Sequence, residues 1–261
     1  MQKRNTQQRR RDIVDWVNEH GHVQVDELAG EFHTSEVTIR KDLAFLAGQN
    51  LLLRQFGGAA PIPGHHIEAG SNISEQKNGI GKIAASLVSN GQKIILDCGS
   101  TTSAILPFLS NYSKLVIMTN SLHAANVLTA GDNEPTVLMT GGTWDAQSQS
   151  FQGHMAEKMI AAYSFDLAFI GAAGIDVTRG TTTFNELTGL TRAMAKAAKR
   201  VVIMAESNKL SHKMPNLELA WENISVLVTD SSIDESVKYN IEQQGVQVLI
   251  TAPNGEELCA E

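Results

Sequence analysis

The amino-acid sequence predicts an α/β chain in two parts, and three observations predict it. The first 60 residues show short helical periodicities with polar caps and one glycine-rich hairpin. Residues 61–80 are rich in proline, glycine and polar side chains. From residue 81 onward, apolar β-rich runs ending in small or polar residues alternate with helical patterns. That alternation argues for a mostly parallel sheet covered on both faces.

Composition sets the bounds. A chain of 261 residues, 42% hydrophobic and 19% charged, is ordinary for a globular protein and can bury a sizeable core. No run of about 18 uncharged apolar residues appears, so no membrane span is expected. MQKRNTQQRRRD is charged and has no apolar run behind it, so no secretory signal is expected either. Cys98 and Cys259 lie far apart and read as unpaired thiols in a reducing compartment, which places the protein in the cytoplasm. The net charge of −7 belongs wholly to the chain beyond residue 58. Residues 1–58 are neutral, with Lys3, Arg4, Arg9, Arg10 and Arg11 gathered at their start. Such a cluster meets phosphates or simply solvates a helix end.

The elements of the first part follow in order. A helix over Thr6–Glu19 puts Ile13, Trp16 and Val17 on one face. Val23-Gln24-Val25 is extended, and Asp26 caps a second helix carrying Leu28, Ala29 and Phe32. His33-Thr34 turns the chain, and Ser35 caps a third helix over 35–49. In SEVTIRKDLAFL, Ile39, Leu43 and Leu46 fall at i, i+4, i+7, with Val37 and Lys41 opposite and Thr38 and Arg40 flanking. LLLRQFGGAA then reads as a strand and a glycine turn. Two short helices joined by a brief turn, with a hairpin behind, follow the winged helix-turn-helix plan. Ser35, Thr38, Arg40 and Lys41 then stand at the major groove. Arg40 is the strongest candidate for guanine, because a guanidinium meets O6 and N7 together. The alternative for Arg40 and Lys41 is phosphate contact or pairing with Glu36 and Asp42. Arg9, Arg10, Arg11 and, in the wing, Arg54 read as phosphate contacts.

PIPGHHIEAGSNISEQKNGIG, 61–80 in round numbers, reads as a linker. Neither His65-His66 nor His20 and His22 has a second cluster at metal-ligand spacing, so no metal is expected.

In the second part, KIILD ends at Asp97, KLVIMTN at Asn120, TVLMTGG at Gly141-Gly142, DLAFIGAAGID passes Gly171, and VVIMAESNK ends at Lys209. Ligands of such sheets bind beyond the carboxyl ends of the strands. Gly99-Ser100-Thr101-Thr102 opens a helix and offers N–H groups and hydroxyls to an anion, or simply caps it. Lys209 adds a cation, and Asp97 accepts from sugar hydroxyls. With Asn120, Ser121 and the glycines, the set suits a phosphorylated sugar or polyol. No G-x-G-x-x-G, P-loop or G-x-S-x-G appears, so no cofactor is expected.

These motifs carry a resemblance. VQVDELAGEF, TIRKDLAFL and RQFGGA resemble the winged helix of DeoR-type bacterial sugar-operon regulators. ILDCGSTT, VIMTNSLHAANVL, LMTGG, SFQG, AAGID and SNK resemble the same family's sensor domain, and together the match covers nearly the whole chain. MTNSLHAANVL, TTTFNELTG and SNKLSHKMPN resemble most the repressors of alditol operons. The resemblance implies a DNA-binding domain over 1–60 and an effector domain over 81–261 similar to ribose-5-phosphate isomerase. It implies operator DNA and a phosphorylated sugar or alditol as partners, and no catalysis; specific binding through paired half-sites calls for a homodimer or homotetramer. The implied effector residues are Asp97, Gly99, Ser100, Thr101, Thr102, Asn120, Gly141, Gly142, Lys209 and, beyond a Thr-Thr pair, Glu186. Ser121 and Gly171 join them as strand-end residues. Ala173 stands where many members carry aspartate, which removes a carboxylate an isomerase needs. A sugar-phosphate isomerase with an accessory DNA-binding module is the rival reading.

Overall fold

Ile39, Leu43 and Leu46 are all buried, and they close on Ile13 and Val17, Leu28, Leu52 and Ala59. That core belongs to the first of two units, Met1–His66 and Ile67–Glu261. The computed structural model describes residues 6–20, 23–48, 52–55, 57–60, 74–131, 133–145, 148–183 and 188–251, without the side chains of 7, 8, 11, 15, 18–20, 48, 55 and 211.

The first unit runs α1 (Thr6–His20), β1 (Val23–Gln24), α2 (Val25–Glu31), α3 (Glu36–Gly48), β2 (Leu53–Gln55) and β3 (Gly58–Ala60). The three strands form an antiparallel sheet in the order β1-β3-β2. Gln24 rather than Asp26 precedes α2, and its backbone N–H donates to the Glu27 carboxylate at 2.8 Å. A Glu three residues on satisfies that orphan donor, which lets the helix begin two residues earlier than expected. Ser35 caps α3 as expected, its Oγ accepting from the Thr38 N–H at 3.3 Å. Between α2 and α3, His33 takes φ 47°, a left-handed turn made without glycine. Gly58 is required where it stands, because a Cβ there would lie 2.0 Å from the Val23 carbonyl oxygen.

The second unit begins with α4 (Glu75–Ser86), so positions 75–80 of the stretch read as linker are helix. Ser74 caps it, and Ile80, Ile83 and Ala84 bury its inner face. Residues 61–73 lie outside the described residues. The strands are β4 (Lys93–Leu96), β5 (Val116–Thr119), β6 (Thr136–Met139), β7 (Thr143–Asp145), β8 (Ser150–Gln152), β9 (Phe165–Gly171), β10 (Gly174–Asp176), β11 (Gly180–Thr183), β12 (Ala198–Met204), β13 (Asn216–Ala220), β14 (Val226–Asp230) and β15 (Gln247–Thr251). The helices are α5 (Ser100–Ser103), α6 (Leu106–Leu109), α7 (Leu122–Ala130), α8 (His154–Ala161), α9 (Gly189–Ala197) and α10 (Glu235–Glu242). Seven strands make one parallel sheet in the order β15-β14-β12-β9-β4-β5-β6.

The period-2 alternation along these strands divides the core. Ile94, Leu96, Leu167, Phe169, Val202 and Met204 face α4, α6 and α7. Ile95, Ala168, Ile170, Val201 and Ile203 face α8, α9 and α10. Fully burying one such aliphatic side chain is worth about 1.5–3 kcal/mol, so both faces must be covered. DLAFIGAAGID, read as one run, splits. β9 ends at Gly171 and β10 joins a separate antiparallel sheet, β10-β11-β13. β7 and β8 form a hairpin.

Two helical glycines behave oppositely. A Cβ on Gly81 would sit 2.1 Å from the Ala104 carbonyl oxygen, where α4 crosses the α5–α6 junction. Gly30, in α2, has nothing within 4 Å of a Cβ. Gly81→Ala is expected to cost about 2 kcal/mol or more, because backbone must shift. Gly30→Ala is expected to add up to about 1 kcal/mol. Calorimetry of the full chain reads both.

Candidate functional site

The chain runs from β4 outward through β5 to β6, then returns to β9 on the other side and continues through β12, β14 and β15. The strand order therefore reverses between β4 and β9, where an open α/β sheet leaves a crevice at its carboxyl edge. Asp97 follows β4 there, and its N–H donates to the Phe169 carbonyl at 3.0 Å. Gly99 and Gly171 face each other across the crevice. A Cβ on Gly171 would lie 3.9 Å from the Gly99 Cα and 3.3 Å from Thr102 Oγ1. Glycine at both positions lets the two backbones come close, with the Thr102 hydroxyl packed beside them.

Three polar atoms of this crevice are buried with nothing to bind. Thr102 Oγ1 and both amide atoms of Asn120 have no hydrogen-bond partner among the described residues, and each side chain belongs to a residue 1% exposed. Leaving such atoms unmade costs about 1–3 kcal/mol each, so they mark a place for a ligand or water. Burial raises the Asp97 carboxyl above the usual aspartate range, against donors that include the Cys98 and Gly171 N–H groups. Asn120 is near enough to favour the Asp97 charge, yet its amide makes no bond of ordinary geometry. Burial and the Asp97 charge push the Cys98 thiol up, so it is no nucleophile.

Lys209 stands on the far side of β9, in a 3-10 turn over Ser207–Ser211 after β12. Ser207 anchors that turn by donating to Asp230 from N at 2.7 Å and from Oγ at 2.7 Å. Burial alone would raise the Asp230 carboxyl, but donors from Ser207 and Ser232 bring it below its ordinary value. Burial also lowers the Lys209 ammonium, with the Glu206 charge opposing and the Lys77 charge assisting the drop. Glu206 turns toward Lys77, its Oε2 lying 4.0 Å from Nζ.

The predicted residues therefore divide. Asp97, Gly99, Ser100, Thr101, Thr102, Asn120 and Gly171 gather at the switch point, with Lys209 on the flank beyond β12. Ser121 is occupied as the cap of α7, accepting from the Ala124 N–H at 3.2 Å. Gly141 and Gly142 follow the edge strand β6 and are exposed. They turn the chain into the β7–β8 hairpin at φ 60° and 111°, and a Cβ on Gly142 would lie 2.5 Å from the Gln152 carbonyl oxygen. Glu186 lies outside the described residues. The helix expected after Gly99 is a single turn, so anion attraction there rests on N–H groups and hydroxyls more than on a long helix dipole.

Two residues went unread. Lys77 sat in the supposed linker, although Ser74 as a cap and the Ile80-Ile83-Ala84 stripe signal the helix that holds it. Glu218 on β13 is a carboxyl amid the apolar alternation of NLELAW. Its Oε1 accepts from Thr191 Oγ1 at 2.9 Å, and burial pushes it up to about 7, with the nearby Asp97 charge adding to the rise.

In the first unit, α3 exposes Ser35, Val37, Arg40 and Lys41, with Thr38 half-buried. Arg40 pairs with Glu36 at 2.8 Å on the open surface. Arg9 and Arg10 each donate from Nε to one oxygen of the buried Asp42 at 2.8 Å. The Arg10 guanidinium also covers the Phe45 ring, 3.7 Å from its centre. These arginines brace α1 against α3, and only their terminal nitrogens remain for a phosphate. The Arg11 side chain lies outside the described residues. Arg54 is exposed on β2.

Among the described residues no helix is long and apolar enough to cross a membrane. Residues 9–63 match the family described as DeoR-like helix-turn-helix domain, and residues 72–231 the DeoR C terminal sensor domain. A protein of Escherichia coli O157:H7, named for repression of an aga operon, is 33% identical over 94% of each chain. The transcriptional repressor GlcR of Bacillus subtilis is 30% identical over 92% of this chain and 94% of its own. Ribose-5-phosphate isomerase A of Methanocaldococcus jannaschii overlays on 51% of this chain and 53% of its own, at 19% identity and a TM-score of 0.38. With both of its parts matched and relatives aligned over nearly their full length, the chain belongs to the DeoR family and is a DNA-binding transcriptional regulator.

Proposed function

We propose that this regulator represses a carbohydrate or alditol catabolic operon and lets go when a phosphorylated sugar or alditol of that pathway fills the crevice between β4 and β9. The observation that carries this is the group of buried, unpaired polar atoms at the strand-order switch, beside the open Gly99–Thr102 loop. Ser100, Thr101 and Thr102 with Lys209 take the phosphate, and Lys77 supports Lys209. Asp97 and Asn120 take hydroxyls. Ala173 offers no carboxylate for moving a proton between neighbouring carbons, which favours binding over turnover.

On DNA, α3 enters the major groove. Arg40 leaves its exposed Glu36 partner for a guanine edge, Val37 meets a thymine methyl, and Ser35, Thr38 and Lys41 flank them. Arg54 in the wing and the terminal nitrogens of Arg9 and Arg10 meet phosphates, with Arg11 on the same helix. Two half-sites require two copies, hence a homodimer or homotetramer.

A thermal-shift panel of sugar and alditol phosphates tests the effector site, since a ligand that binds only the folded chain raises its midpoint. One phosphate is expected to raise it, with its unphosphorylated parent inert and Lys209→Ala at least tenfold weaker, the scale of a lost charged hydrogen bond of about 1.5–3 kcal/mol. An unmoved midpoint across the panel contradicts the site.

A further inference from the structure

The open face of α3 carries a carboxylate beside its cation. Glu36 and Arg40 stand one turn apart, Oε2 to Nη2 at 2.8 Å, with both side chains more than half exposed. The other acid of α3, Asp42, is buried and held by Arg9 and Arg10. Ser35 and Thr38 occupy each other, their hydroxyl oxygens 2.9 Å apart. Glu36 is therefore the exposed carboxylate that α3 presents together with Val37, Arg40 and Lys41. An exposed carboxylate is repelled by the phosphates of a duplex, so its place on this face calls for a reason.

The ion pair supplies one. When Arg40 turns its fork to O6 and N7 of guanine, Glu36 loses its partner between two phosphate backbones. A carboxylate only accepts, and the donors on base edges in the major groove are the amino groups of cytosine and adenine. Adenine sets its N7 acceptor beside that amino group, where a carboxylate oxygen is repelled. Cytosine presents the donor alone.

We propose that Glu36 is a specificity-determining residue that accepts from the N4 amino group of a cytosine next to the guanine read by Arg40. The pair within the protein is exchanged for two base contacts. This rests on the reading of α3 as the groove helix and sharpens it to two letters. Four residues of helix advance about 6 Å, against about 3.4 Å for each base pair, so the cytosine lies within about two base pairs of the guanine. A half-site with the guanine but without the cytosine strands the carboxylate and is rejected for that reason.

Selection from a random duplex library tests the proposal with the full chain in three forms: native, Glu36→Gln and Arg40→Ala. The native chain is expected to recover guanine with cytosine at that spacing. Glu36→Gln, shown folded by its unfolding midpoint, is expected to keep the guanine and change the cytosine to adenine, because an amide donates to N7 and accepts from N6 together. By fluorescence anisotropy the native chain is expected to prefer the cytosine duplex over its adenine counterpart about fivefold or more, and Glu36→Gln to erase or reverse that preference. A carboxylate that only favours the start of α3 would lower the midpoint and leave the bases unchanged. Identical base preferences in the native chain and Glu36→Gln therefore overturn the proposal. The groove reading stands if Arg40→Ala then loses the guanine or recovers no sequence, and falls as well if Arg40→Ala recovers the native site.

Discussion

Asp42→Ala is expected to destabilise the DNA-binding unit by about 3 kcal/mol and to abolish specific DNA binding. The carboxylate is 3% exposed and holds the Nε atoms of two arginines from α1. Removing one member of a buried pair typically costs about 3–5 kcal/mol, and the partial exposure of the arginines places this case at the lower end. It also frees α1 from α3, the helix proposed to enter the major groove, so affinity is expected to fall with stability. Arg40→Ala behaves differently. Its exposed i,i+4 pair with Glu36 is worth about 0.3–0.5 kcal/mol, so folding is nearly untouched while operator affinity drops about tenfold or more. Urea unfolding followed by circular dichroism, with binding read by fluorescence anisotropy, separates the two. Equal stability of Asp42→Ala and the native chain would show that the double ion pair braces nothing.

Glu218→Gln is expected to stabilise the protein above neutral pH. The folded chain keeps a proton on Glu218 up to about pH 7, whereas an unfolded glutamate loses it near 4.5. Between those values the folded state binds more protons, so this side chain's contribution falls as pH rises through the window. At pH 8 the deficit is about 3 kcal/mol, from roughly 1.36 kcal/mol for each pKa unit. Glutamine cannot ionise and still accepts from Thr191, so the variant gains that amount at pH 8 and almost nothing at pH 4. Unfolding midpoints across pH check the sign, and a gap independent of pH would contradict it.

The strand ends were legible because each apolar run stops where the sheet stops, and small polar residues there signal a crevice. The α3 stripe was legible because a helix buries i, i+4, i+7. What escaped reading depends on contacts between distant segments. Nothing local tells that Asp42 sits under Arg9 and Arg10, more than thirty residues away. Gly141-Gly142 read as ligand glycines, yet a close approach to the Gln152 carbonyl also demands glycine, and the sequence does not separate the two demands. Lys77 hid behind Gly79 and Gly81, which mimic linker composition but serve close packing of α4 against Thr251 and Ala104. Glu218 lies on a strand of a minor sheet whose partners, β10 and β11, are too short to announce themselves.

The central claim is that the crevice and α3 are coupled, and reciprocity tests it most directly. A duplex selected from random sequence by the full chain would be titrated with and without a saturating sugar-phosphate ligand, and the ligand titrated with and without that duplex. Coupling requires that each weaken the other by the same factor. A matched loss in both directions is the predicted result. Equal ligand affinity with and without the duplex would contradict the account.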